Sequence, residues 1–205
     1  MLLYVDSRYI SPYAMSAFVA LHEKALTFEI ITLDLAAGEH RDSKHLKNSL
    51  TARVPTLVDG EFILSESSAI AEYIDETYAG TPLYPSESKT KAHARQIQAC
   101  LRSDLMPIRL ERSTEVLFYQ PKSQPLSEAA KMAAKKLFTV ADALLSQQQD
   151  YLFDEWSIAD VDFAVMLNRL AFNGDDIPNH LAAYAKHQWK RPSVQLWVNQ
   201  VRPPL

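Results

Sequence analysis

Residues 53–70 constrain this 205-residue chain more than any other stretch. Residues 54–58 are short and rich in β-branched side chains, Asp59-Gly60 is a hairpin dipeptide, and Phe62-Ile63-Leu64 is a second apolar run. Ser65-Glu66-Ser67-Ser68 then sets small polar residues where a helix begins, and Ala69, Ile70, Ala71, Tyr73, Ile74 and Tyr78 continue at helical spacing. The pattern predicts strand, turn, strand, helix. A proline directly after Val54, at the mouth of a strand, is a candidate for a cis peptide. That geometry would turn the Val54 N–H and C=O toward another peptide. Glu66-Ser67 falls at the helix start, where free N–H groups and the helix dipole hold a carboxylate. Together these features suit a small peptide with a free amine and a free carboxylate. An ordinary hairpin followed by a capped helix fits the same residues.

Ahead of this stretch, residues 2–5 read as a strand and Ser11-Pro12 as a helix start, serine at the N-cap and proline at the first helical position. Residues 28–33 read as a second strand, so the chain opens β-α-β, which favours parallel pairing around a crossover helix. Residues 34–52 are polar and irregular, with a turn of helix expected at 43–50. The order β-α-β, irregular segment, β-β-α predicts a thioredoxin-like domain over residues 1–80. Gly80 to Pro85 breaks the pattern and marks a linker at 81–86. Residues 87–205 show helical spacing throughout and read as an all-α helical-bundle domain. Its expected helices are a long one over 87–120 kinked at Pro107, then 127–148, 158–172, 181–189 and 193–201.

Composition narrows the function. The formal net charge is -4 and no basic run occurs, which argues against a nucleic-acid partner. No apolar run approaches a membrane span and the first residues do not resemble a signal peptide, so a cytoplasmic protein with no membrane partner is expected. A single cysteine, Cys100, excludes an internal disulfide; its place on an apolar-patterned helix predicts a buried, inert thiol. The histidines are at 22, 40, 45, 93, 180 and 187, none at metal-ligand spacing with other ligands, so no metal is expected. His40, in the loop after Gly38, is the one suited to touching an anion. Ser157 with Asp160 three residues on reads as a capping box.

Ser11 has two readings, an N-cap alone or a hydroxyl that also donates to an anion over the helix start. A bound thiol must drop about two pKa units to be mostly thiolate at neutral pH, about 2.7 kcal/mol. A hydrogen bond to a charged group supplies about 1.5–3 kcal/mol and the helix dipole about 0.3–1 kcal/mol. One serine at a helix start therefore suffices.

A thioredoxin-like half with Ser11-Pro12, Val54-Pro55 and Glu66-Ser67, followed by an all-α half containing Ser157-Ile158-Ala159-Asp160, resembles the cytosolic glutathione transferases of the serine type. Residues 64–73 and 94–107 look most like the YfcF-like bacterial branch. The resemblance spans nearly the whole chain. It implies glutathione as cosubstrate, with Val54 pairing its cysteinyl backbone, Glu66 facing its γ-glutamyl amine and Ser67 its γ-glutamyl carboxylate. Ser11 matches the serine that stabilises the thiolate. His40 and Arg53 match positions that hold the glycine carboxylate, with Lys44 a further candidate. Asp104 matches a residue that reaches the glutathione of the other subunit in a homodimer. The family layout and helix geometry place Ile10, Tyr13, Leu105, Met106, Arg109, Arg112 and Phe172 around a hydrophobic electrophile. The implied reaction is conjugation of the thiolate to that electrophile. Reduction of a peroxide by the same thiolate is the alternative, and a catalytically silent transferase-fold interaction protein is a third.

Overall fold

The computed structural model describes residues 1–42, 49–145 and 149–205; Lys44 and most of the helical turn expected at 43–50 lie outside them. The chain divides into two compact units, residues 1–83 together with 195–205, and residues 84–194.

The first unit contains β1 (Leu2–Asp6), α1 (Pro12–Glu23), β2 (Glu29–Leu33), a 3-10 turn (Glu39–Arg41), β3 (Thr56–Asp59), β4 (Phe62–Ser65) and α2 (Ser67–Thr77). The sheet order is β2-β1-β3-β4, with β1 and β2 parallel and the other neighbours antiparallel. This is a thioredoxin-like arrangement, with α1 as the right-length crossover between the parallel strands. Leu3, Val5 and Leu57 from the sheet and Ala14, Phe18, Leu21, Ile70 and Ile74 from the helices form its core. Asp59 holds the hairpin to α2 by accepting hydrogen bonds from the Tyr73 hydroxyl at 2.8 Å and from the Tyr78 hydroxyl.

The pairing register decides what meets at one end of the sheet. Asp6 pairs Leu33, Tyr4 pairs Thr56, and Thr56 pairs Ser65. The C-terminal ends of β1, β2 and β4 therefore lie beside the N-terminal end of β3. The segments leading to Ser11, His40 and Glu66 leave from that end, and the segment carrying Val54 arrives there.

The second unit contains α3 (Ser88–Ser103), α4 (Met106–Glu111), α5 (Glu115–Phe118), α6 (Glu128–Leu144), α7 (Ile158–Ala171) and α8 (Asn179–Trp189), with no strand among its described residues. It is a helical bundle around α7, which is buried along most of its length and packs on α3 and α8. The expected kinked helix over 87–120 is instead three helices. Pro107 sits in the first turn of α4, where its missing N–H breaks no helical bond, so it starts a helix rather than bending one. The expected helix at 127–148 ends at Leu144, ahead of residues 146–148, which are outside the described set.

A last helix, α9 (Pro192–Val198), runs into the segment 195–205. That segment, expected as the end of the helical domain, groups with the first unit. The physical reason is Trp197, fully buried with its ring 5.2 Å from Phe18 and 5.4 Å from Tyr9.

Candidate functional site

Ser11 is the N-cap of α1, and Pro12 occupies the first turn. Its Oγ accepts the Ala14 N–H at 3.2 Å. Capping uses a lone pair, not the hydroxyl proton, so the two sequence readings of Ser11 are compatible. No described residue takes that proton, and the side chain is part-exposed. The loop that presents Ser11 is fixed by Asp6, a buried residue at the end of β1. Its carboxylate accepts the Ile10 N–H at 2.8 Å and the Ser11 N–H at 3.0 Å. Neither α1 nor α2 has an acidic residue within its first turn; the nearest acids are Asp6, bonded just before α1, and Glu66, the N-cap of α2.

Across the same end of the sheet, Val54-Pro55 is a cis peptide, as expected from its place before β3. Glu66 is the N-cap residue of α2, exposed, with φ 74°, a left-handed conformation uncommon for a side chain of its size. Ser67, the first residue of α2, is buried. Such a strained residue beside a helix start is a mark of functional sites. Beneath them three buried hydroxyls cluster: Ser49 Oγ lies 3.1 Å from Ser65 Oγ, and Thr56 Oγ1 lies 3.0 Å from Ser49 and 3.1 Å from Ser65. Thr56 also reaches the Arg53 carbonyl at 2.8 Å. A carbonyl has no proton of its own, so it takes the threonine's, and the serines donate around the cluster. The cluster ties residues 49 and 53 to the sheet just before Val54. Arg53 itself is exposed. His40 lies in the 3-10 turn, and its Nδ1 is buried with no hydrogen-bond partner among the described residues.

The remaining candidates lie in the helical unit. Asp104 caps the end of α3, its carboxylate 2.5 Å from Lys136 Nζ and 2.6 Å from the Ser103 hydroxyl. Those two bonds hold its pKa below the usual carboxylate value. Met106 is exposed, and Phe172 is exposed with its ring 5.3 Å from Trp189. Arg109 donates to the Arg102 carbonyl at 2.7 Å. Two expectations are corrected. Leu105 is 1% exposed and faces a small apolar cavity with Cys100, Leu137 and Phe163. Arg112 is 2% exposed, and its guanidinium is committed to Asp175 at 2.6 and 2.7 Å and to the Gln124 carbonyl at 2.8 Å. Neither presents a surface to a substrate. Cys100 is half-buried rather than fully buried, and burial pushes its thiol pKa up, which keeps it protonated. Among the described residues no group of side chains could hold a metal, and no helix is long and apolar enough to cross a membrane.

Asp6 and the three-hydroxyl cluster escaped the sequence reading. Asp6 stands five residues before an N-cap serine, a spacing with no general meaning. The hydroxyls come from separate segments joined by strand pairing.

Residues 4–76 match the family described as glutathione S-transferase, N-terminal domain, and residues 87–201 the family described as glutathione S-transferase, C-terminal domain. Glutathione S-transferase 3 of Zea mays is 30% identical over 92% of this chain and 83% of its own length. A probable maleylacetoacetate isomerase of Caenorhabditis elegans is 29% identical over 83% of this chain and 87% of its own. Among solved structures, a glutathione transferase homologue from Burkholderia with bound glutathione is 46% identical, covers 97% of this chain and 96% of its own, and superposes with a TM-score of 0.80.

Proposed function

Since the chain belongs to the glutathione S-transferase family, we propose that it is a serine-type transferase in which Ser11 stabilises the thiolate of bound glutathione. The observation that supports this most is the hydroxyl of Ser11, which caps α1 with a lone pair and keeps its proton for an anion. The glutathione cysteinyl backbone pairs with Val54. The γ-glutamyl carboxylate lies toward Ser67 at the start of α2, and its amine toward Glu66. His40, whose ring Nδ1 has no partner among the described residues, and the exposed Arg53 take the glycine carboxylate. The Ser11 O–H then donates to the sulfur. Thiolate formation releases the thiol proton to solvent, and the sulfur attacks the electrophile, forming an S–C bond as the leaving group departs with its electron pair.

The hydrophobic electrophile is met, on the side of the first unit, by Ile10 and Tyr13 beside Ser11. A homodimer fits the family pattern, with Asp104 exposed to reach the γ-glutamyl amine held by the partner subunit. Peroxide reduction uses the same thiolate with a different acceptor, and an isomerase among the relatives adds a third acceptor class. Turnover on a chloronitrobenzene, an organic hydroperoxide and maleylacetoacetate separates these readings. The test of the core reading is Ser11→Ala. Turnover should fall by roughly tenfold to a hundredfold, the loss of one charge-assisted hydrogen bond. Calorimetric affinity for glutathione should hold. Unchanged turnover would remove Ser11 from the mechanism, and a wild-type chain that fails to bind glutathione would overturn the whole reading.

A further inference from the structure

We propose that Arg202 is a positioning residue for Ser11, fixing from the distant end of the chain the loop that aims the serine hydroxyl; this rests on the role given to Ser11 above. A hydroxyl that must meet a sulfur needs placement to a fraction of an ångström. Asp6 holds one side of the loop through the Ile10 and Ser11 N–H groups, and the Tyr9 N–H bonds the Asp6 carbonyl at 3.0 Å. Tyr9, two residues before Ser11, has φ 50°, a left-handed conformation that tyrosine rarely adopts. Its carbonyl accepts a bond from Arg202 Nη2 at 3.1 Å, across 193 positions of sequence.

The guanidinium is itself rigidly held. Nη1 donates to the Val198 carbonyl at 2.7 Å and to the Gln200 carbonyl at 3.0 Å, and Nη2 also donates to the Trp197 carbonyl at 2.9 Å. The Trp197 and Val198 carbonyls lie at the C-terminal end of α9 and Gln200 follows two residues on, where the last-turn acceptors and the negative end of the helix dipole favour a cation. Trp197 packs edge-on against the Tyr9 ring from the same helix end. Ring and guanidinium therefore clamp the side chain and the carbonyl of one strained residue. Without the clamp Tyr9 relaxes toward negative φ, the following peptide rotates, and Ser11 loses its aim while Asp6 still tethers its N–H.

The test uses Arg202→Met, which keeps much of the side-chain volume, and Arg202→Lys, which restores one donor. The pKa of bound glutathione is read from the ultraviolet absorbance of its thiolate against pH, with affinity from calorimetry and folding from thermal melting. Arg202→Met should raise the thiol pKa by roughly 0.5–1 unit, hence about threefold to tenfold less thiolate below the pKa. Affinity should stay within about twofold, and Arg202→Lys should recover part of the shift. A folded Arg202→Met protein with the wild-type thiol pKa overturns the proposal. If that variant does not fold, Arg202→Gln, shorter than the reach to Tyr9, is read against the same two results. Ser11→Ala runs in parallel. If it leaves the thiol pKa unchanged, the Ser11 reading itself fails; if it raises the pKa while Arg202→Met does not, the positioning role alone fails.

Discussion

Two of the serines that cap helices in this protein are used in opposite ways. Ser11 opens α1 and Ser157 opens α7. Three residues on from Ser157 stands Asp160, and the serine's hydroxyl donates to its carboxylate at 3.0 Å while the serine N–H does so at 2.8 Å. The Leu152 N–H at 2.7 Å and the Tyr184 hydroxyl at 2.8 Å complete the set. Burial raises the pKa of Asp160, and the donors around it pull the other way. Every polar group there is closed on another, with no solvent exposure at either Ser157 or Asp160. Three residues on from Ser11 stands Ala14, which offers a backbone N–H and nothing that accepts a proton. The acid that serves this loop, Asp6, precedes the serine and takes backbone N–H groups. One helix start is thus a closed structural joint, and the other keeps a hydroxyl donor that no described residue takes.

Predictions follow this contrast in order of size. Asp160→Ala strands several buried donors and should cost at least about 3 kcal/mol in urea unfolding. A loss under about 1 kcal/mol would mean that the joint at α7 is not the closed network described. Ser157→Ala removes one of those donors and should cost about 1–2 kcal/mol, with the kcat of the remaining folded enzyme unchanged. A fall in kcat would erase the division between the two serines. Asp6→Asn leaves one of two N–H groups facing an amide rather than a carboxylate. It should cost about 1 kcal/mol and lower kcat more than it raises the KM for glutathione. A pure KM effect would show that Asp6 shapes binding and not the aim of Ser11.

The smallest effect concerns Asp104. Its pKa is lowered by the Lys136 and Ser103 bonds, so any stability it adds is present above the usual carboxylate range and is lost as pH falls through the lowered value. Exposure screens the pair, and Asp104→Asn should leave the melting temperature unchanged at neutral pH. If glutathione affinity weakens in that variant only at concentrations where the protein is dimeric, the contact to the partner subunit's ligand is supported; an equal loss in the monomer would refute it.

Local chemistry was readable in the sequence where it acts within a few residues. Ser11-Pro12, Asp59-Gly60, Val54-Pro55 and Ser157 with Asp160 each carry their structure in adjacent side chains, and the strand and helix order followed from periodicity. What failed were inferences carried across a break. Helical phase extended through residues 104–106 as though one helix continued there, and it aimed Leu105 and Arg112 at a substrate. The chain instead stops α3 at Ser103 and restarts at Met106, so the phase is lost, Leu105 turns inward, and Arg112 finds Asp175. The Asp6 bonds, the three-hydroxyl cluster and the Arg202 clamp depend on segments far apart in sequence, and no local pattern marks them.

The central claim is that the Ser11 proton stabilises a thiolate. Its most direct test is the pH titration of bound glutathione by thiolate absorbance, in the wild-type protein and in Ser11→Ala. The wild type should titrate about two units below free thiol, near neutral pH, and Ser11→Ala should return most of that shift, equivalent to about 1.5–3 kcal/mol. Identical titration curves for the two proteins, with glutathione bound equally well by both, would contradict it.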